Sequence, residues 1–542
     1  MARLTRNIIY NLIGQGLLLV LGFVAVKYVF KELGEDALGI IYFTLMMNAV
    51  LVGVLDLGIF TTTVREISAH FNDEPGYIGE LIRTASLFCW SAYVLLAVAV
   101  YFGAPIFVEK WIYLNTIDSG TATHVLQVLG IGALIAFPRS LYISLFRGLQ
   151  RMEFNNIIDV GTTALQQLGV IVILAFGGKL LPVVYWLAAS FGLGLLCYVL
   201  CAQRFFPWWA LVPGFSTVVV RRNLRYSSNM MSISFLAMVQ MQADKVIVSK
   251  VLPIGLLGYY GFAYSAVSKA TLLTNAIAQA VFPFFSSLFA TRRRDWMMPE
   301  YRKLQDLLCF GSVPLFAIIP FAAIPVFGFV FNPQIAKMLL LPVTFLALGS
   351  YMNGTLSVPY VFSLAVGRPD ISARSNFYAL FVVLPATGIL IYLFGLAGAG
   401  FSWVFYHLFT YSYAVPRICS ECLEIPVSAW YRHVLKIAVL TSLTYGLAWL
   451  IVEFLDAHSI FHLALTYAGA SIIFLVGVFF LMGSELRETV DDFLHVVRIR
   501  IAILISQWKE LSPGVLKTKS RGSADASLHP PVHTEYKPGW DE

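Results

Sequence analysis

Apolar residues in this chain gather into unbroken runs of membrane-spanning length, not into the alternating or one-faced patterns of a soluble fold. The first run, Ile8–Phe30, follows Arg3 and Arg6 and lacks a small-residue cleavage site before a polar mature region. It therefore predicts a first span, not a removed signal peptide. Further runs lie at about Leu38–Val64, Thr84–Val108, Val125–Leu145, Val160–Phe176, Leu180–Cys201 and Tyr226–Val251. Seven more follow, at about Gly255–Phe289, Leu304–Phe331, Met338–Val366, Asn376–Leu396, Ala397–Pro416, Val434–Val452 and Ile460–Met482. Each is close to the ~20 residues that cross a hydrocarbon core. The pattern predicts an all-α polytopic membrane protein of about 14 transmembrane helices, because only helices and closed barrels satisfy their backbone in lipid. The tightest connection, Gly395–Gly400, carries three glycines and no charge, which predicts a short turn at the membrane surface.

Polar residues set the direction of these spans, since Lys and Arg are retained on the cytoplasmic side. With the amino terminus inside, 28 of the 37 Lys and Arg fall on inner segments and seven at outer ends. The remaining two, Arg139 and Lys269, lie deep within spans. The expectation is a multi-pass protein of the inner (cytoplasmic) membrane with both termini cytoplasmic; a missed or merged pair of spans leaves that direction unchanged. The largest connection, about Ala202 to Arg225, is some two dozen residues, whereas an independent domain needs at least ~50. No catalytic module is expected, and the chain is read as a transporter, not an enzyme. Beyond Met482, residues 485–510 place Phe493, Val497, Ile501, Leu504 and Trp508 at helical spacing opposite Arg498, Arg500 and Lys509. That predicts a cytoplasmic amphipathic helix on the inner leaflet, followed by a disordered polar tail over 511–542.

Composition removes the main alternatives. The chain is 58% hydrophobic and 12% charged with mean hydropathy +0.77, so water is not its main solvent. The net charge of +7 is spread between apolar runs instead of clustered on a polar face, which argues against nucleic acid. Six cysteines sit mostly in apolar stretches. Cys419 and Cys422 form a CxxC without a second pair of ligands, so no metal site and no cofactor is predicted.

An internal repeat organises the spans. Leu38-Gly39-Ile40-Ile41-Tyr42-Phe43 opens the second, and Leu257-Gly258-Tyr259-Tyr260-Gly261-Phe262 opens the eighth. Ser144-Leu145-Phe146-Arg147-Gly148 precedes Asn156, as Ser363-Leu364-Ala365-Val366-Gly367 precedes Asn376, and both glycine pairs, 39 to 148 and 258 to 367, are 109 residues apart. The repeat predicts six-helix bundles over 1–203 and 204–417, with two additional transmembrane helices in 418–484. Six is even, so the bundles are parallel, related by an axis along the membrane normal and enclosing a central cavity.

Several short segments carry a family likeness: Asp56-Leu57-Gly58 leading to Val64-Arg65-Glu66-Ile67, then Arg147-Gly148-Leu149-Gln150, then Ala243-Asp244-Lys245-Val246 before Leu257-Gly258-Tyr259-Tyr260. In this order the membrane portion resembles the polysaccharide transporter and O-unit flippase family of the multidrug/oligosaccharidyl-lipid/polysaccharide exporter superfamily. The resemblance implies translocation of an undecaprenyl-pyrophosphate-linked oligosaccharide from the cytoplasmic to the outer leaflet, for surface polysaccharide biosynthesis. It implies as partners that lipid-linked oligosaccharide, the bilayer, a proton or sodium ion for coupling, and polysaccharide assembly proteins.

Charges inside the spans are the candidate site. A buried charge costs at least ~2.5 kcal/mol on insertion scales, so it should face a cavity, a partner or the interface. Arg139 and Lys269 each lie 14 residues into a span, roughly 21 Å from its outer end, in opposite bundles. Facing a common cavity, they would bind a pyrophosphate from two sides, Arg139 as a fork and Lys269 as a point charge. The plainer reading of Arg139 is that it satisfies carbonyls freed by Pro138 or snorkels to the interface. Asp56, nearer the cytoplasmic end, is a cavity charge that pairs with Arg65 or Arg139, or a carrier of the coupling ion. Asp244 and Lys245 read as a structural pair at the outer interface. Two other functions compete: an ion-coupled multidrug exporter of the same superfamily, and a membrane glycan polymerase or ligase. The first would be expected to place a carboxylate in Ile8–Val26, which has none, and the second needs a sizeable outer loop, which is missing.

Overall fold

The computed structural model describes residues 2–492 except 56–57 and 292–293. Among them no strand occurs, and the α-helices run α1 (Ala2–Leu33), α2 (Glu35–Leu55), α3 (Ile59–His70), α4 (Pro75–Lys110), α5 (Ser119–Leu134), α6 (Ala136–Gly148), α7 (Met152–Ala175), α8 (Leu180–Ala202) and the short α9 (Trp208–Leu211). They continue as α10 (Thr217–Val251), α11 (Ile254–Ala290), α12 (Arg294–Val330), α13 (Pro333–Ala365), α14 (Pro369–Ile418), α15 (Val427–Thr441), α16 (Leu447–Phe454) and α17 (Ile460–Leu481). Ten helical stretches are long and apolar enough to cross a membrane by length and composition, and the chain is an integral, multi-pass membrane protein.

Breaks in the helices have local causes. Gly58 takes a left-handed φ of 69° before α3, where a side chain would strain the backbone. Pro138 lacks the N–H that would bond the Leu134 carbonyl, and α5 ends at Leu134. Asp118 caps α5 by accepting from the Thr121 N–H at 2.8 Å, as Asn332 caps α13 through the Ile335 N–H at 2.9 Å. The turn expected at 395–400 divides the 50-residue α14. Gly395 adopts φ 57° there, and a Cβ on Gly398 would lie 1.9 Å from the Leu390 carbonyl oxygen. Only glycine permits so close a return.

Helices α1 to α8 pack largely on one another, as do α11 to α14, and α2 meets both α10 and α11. The last helical pair lies against α12: the Tyr467 hydroxyl donates to the Pro314 carbonyl at 2.9 Å, and Phe321 stacks edge-on against Trp449. Among the described residues no disulfide joins any of the six cysteines. The Asp244–Lys245 pair differs from its expected interfacial setting. Both residues are under 10% exposed, because α11 covers them: Tyr260 donates to Asp244 at 2.6 Å, and the Lys245 ammonium sits 3.6 Å from the Tyr264 ring centre. The described residues up to Leu486 form one compact unit. Helix extends to residue 492, while the rest of the expected amphipathic helix and the whole expected tail lie outside the described residues.

Candidate functional site

Two glycines let the first and second halves of the chain touch backbone to backbone. A Cβ on Gly39 of α2 would fall 2.2 Å from the Ile254 carbonyl oxygen, and one on Gly258 of α11 would fall 2.8 Å from the Gly39 nitrogen. These are the residues that the internal repeat places at equivalent positions. Around them, at the end that the Lys and Arg distribution assigns to the outside, polar contacts join the same elements. Tyr259 donates to Glu35 at 2.8 Å, the Ile254 N–H to the Tyr113 carbonyl at 3.2 Å, and Trp111 Nε1 to Ser249 at 3.0 Å. Asp36 is fully buried, and its Oδ2 accepts from the N–H groups of Asn115 and Thr116 at 2.7 and 2.5 Å, pinning the α4–α5 loop to this seam. An aromatic cluster fills it from beneath, with Phe30, Tyr259 and Phe262 each edge-on to Phe331 at 5.0–5.5 Å. The seam is closed by apolar rings and by hydrogen bonds that water would otherwise take.

Below the seam opens a cavity of about 330 Å³, walled by α1, α2, α5, α7, α8 and α11. Its polar lining comprises Tyr42, Gln166, Gln167, Ser265 and Lys269. Among the described residues no carboxylate lies within ion-pair distance of Lys269, whose side chain is exposed. The Gln167 Oε1 atom is buried and accepts no hydrogen bond among the described residues. The cation suits an anionic group, and the unfilled amide oxygen on the same lining suits a hydroxyl or amide donor, since buried polar groups normally find partners.

Arg139 occupies a different environment. It lies on α6, 3.5 Å from Asp159 of α7, and the same carboxylate oxygen accepts from Tyr198 of α8 at 3.0 Å. Arg139 is not on the cavity lining that includes Lys269. The carboxylate partner answers the cost of an arginine within a span. Arg139→Ala alone is expected to reduce thermal stability in detergent, because it strands Asp159; Arg139→Ala with Asp159→Asn should recover most of that loss. Melting temperatures of the three proteins check this, and equal losses for single and double variants would contradict it.

Asp56 lies outside the described residues. Of the two cations named as its partners, Arg139 pairs with Asp159, and Arg65 pairs with Glu66 among its contacts. Glu66, 4% exposed, also accepts from Tyr77 at 3.0 Å, while Arg65 donates to Asn223 at 3.1 Å and Thr62 bonds Ser227 at 2.8 Å. These contacts tie α3 and α4 to the start of α10.

Sequence reasoning missed Asp159, Gln166 and Gln167. Their signal was legible: Asp159, Thr162, Thr163, Gln166 and Gln167 recur at helical spacing, a polar stripe on an otherwise apolar helix.

The fold has solved counterparts. A lipid II flippase MurJ in an inward closed conformation matches with TM-score 0.65 at 13% identity, covering 86% of this chain and 98% of that one. An inward-facing MATE-family multidrug resistance transporter of the MOP superfamily matches with TM-score 0.62 at 14% identity, covering 76% and 96%. The MATE multidrug transporter DinF-BH in complex with R6G matches with TM-score 0.55 at 16% identity, covering 76% and 94%. At these identities the likeness is one of fold. No curated protein matches the chain in sequence. The family model described as "Polysaccharide biosynthesis protein" matches residues 4–289, just over half the chain, and on that match, with a transporter fold around it, the chain belongs to the polysaccharide biosynthesis protein family.

Proposed function

We propose that this protein moves an undecaprenyl-pyrophosphate-linked oligosaccharide from the cytoplasmic to the outer leaflet of the inner membrane by alternating access. Lys269, a cation with no counter-ion among the described residues, on the wall of a cavity closed toward the outside, carries the proposal. The cavity receives the headgroup, Lys269 offsets its phosphate charge, and the lipid tail stays in the bilayer. The halves 1–203 and 204–417 then part along the Gly39–Gly258 seam to release the headgroup outward. The family match and the likeness in fold to solved transporters support transport over glycan chemistry.

The test uses proteoliposomes with the purified protein and the lipid-linked oligosaccharide fraction of the source cells. Exposure of the sugar on the opposite leaflet should appear on a timescale of minutes, read by a membrane-impermeant glycosidase, while a fluorescent amphipathic cation is not pumped. Cation transport lost in Asp56→Asn, with no sugar translocation, would instead establish the multidrug exporter.

A further inference from the structure

A second cavity, of about 710 Å³, lies wholly within the second half of the chain, between α11, α13 and the two arms of α14. No Asp, Glu, Lys or Arg is on its lining. It is nonetheless polar, with Asn275 on α11, Asn353 on α13, and Ser375, Asn376, Tyr406 and His407 on α14. Within a membrane protein such a set is costly to keep without purpose, since each amide and hydroxyl needs a partner.

Some of these groups are satisfied and fixed. Tyr406 donates to Asn376 Oδ1 at 2.9 Å, and Gln240 donates to the Asn376 carbonyl. Two are not. Ser375 Oγ and His407 Nε2 are buried without a hydrogen-bond partner among the described residues, on side chains each 1% exposed. The histidine geometry says what it can accept. Its Nδ1 lies 2.7 Å from the Trp403 carbonyl, which only accepts, so the proton of the neutral ring is on Nδ1 and the Nε2 lone pair is free. The ring is held edge-on between Trp403 and Tyr406, at 4.6 and 4.9 Å. A rigid acceptor beside hydroxyls, amides and aromatic faces matches a neutral polyol. An amphipathic cation would find no carboxylate here, and a phosphate no cation.

Helix α11 relates this cavity to the first. Lys269 lines one and Asn275 the other, six residues apart, or about 9 Å along the helix. That rise is within the reach of a short oligosaccharide attached to a phosphate held at Lys269. We infer that the cavity between α11, α13 and α14 is a subsite for the uncharged, hydroxyl- and amide-bearing sugar residues of the headgroup, with His407 Nε2 and Ser375 Oγ as direct contacts. This inference rests on the proposed function above.

Equilibrium binding to the full chain in lipid nanodiscs tests it with two probes, undecaprenyl pyrophosphate and the lipid-linked oligosaccharide fraction extracted from source cells. Wild type should bind the glycosylated lipid at least about tenfold more tightly, in line with one or two buried hydrogen bonds. His407→Phe should abolish that preference while leaving the affinity for undecaprenyl pyrophosphate within twofold, and His407→Gln, whose amide oxygen can accept, should restore most of it. Ser375→Ala, a change of one atom, should lower the preference severalfold, and it carries the test should His407→Phe not fold. Equal wild-type affinities for the two lipids, a preference that survives both His407→Phe and Ser375→Ala, or a parallel loss for both lipids in His407→Phe would each overturn the subsite while leaving the flippase reading standing. Wild type binding neither lipid would overturn the flippase reading and the subsite with it.

Discussion

A disulfide between residues 35 and 255 stops translocation completely, and reductant restores it. This is the expected behaviour of Glu35→Cys/Gly255→Cys, because the seam between α2 and α11 must open for a headgroup to leave outward. A Cβ on Gly255 would lie 3.0 Å from that of Glu35, so the two positions are within reach of a bond whose Cβ atoms usually lie about 3.8 Å apart, given a shift of under an ångström. Each single cysteine variant should keep at least half of wild-type translocation, since neither bears on the cavity. Translocation by the oxidised double variant would show that the seam stays shut throughout the cycle, which alternating access forbids. A bulkier arm makes the same point from the other direction. Gly39→Leu places a side chain where the Ile254 carbonyl now sits, so it should prevent outer closure and leave that end accessible to impermeant thiol reagents.

Lys269→Ala is expected to cut headgroup translocation by about 10- to 150-fold at unchanged membrane insertion, the range for losing a hydrogen bond to a charged group worth ~1.5–3 kcal/mol. Lys269 lines the cavity and has no carboxylate within ion-pair distance among the described residues, so its removal should strand no described counter-ion and leave the fold intact. Lys269→Arg should retain a substantial part of the rate, since charge is kept while the donor geometry changes, and Lys269→Glu should be worse than alanine. Initial rates in proteoliposomes, normalised to inserted protein, decide it. Wild-type rates in Lys269→Ala would remove the residue from the mechanism. Arg139→Ala differs in kind: its loss acts on stability through Asp159, and Asp159→Asn should relieve it.

Helices, their order and the turn at Gly395 were legible in the chain, because hydrocarbon imposes one rule on every spanning segment: satisfy the backbone within itself and show apolar side chains. Lys269 was legible for the same reason, as a charge that lipid would not tolerate without cause. The glycine pair at 39 and 258 was visible as a repeat, but that its members press against each other is a matter of tertiary packing. Which charges pair was likewise beyond the sequence. Arg139 and Lys269 both read as charges within spans, yet rotation about the helix axis gives one a carboxylate partner on a neighbouring helix and the other a cavity wall. The buried Asp244–Lys245 pair and the orphaned His407 nitrogen follow the same logic. Depth in a membrane is a one-dimensional property that a sequence carries, whereas the direction a side chain faces depends on neighbours brought together from hundreds of residues away.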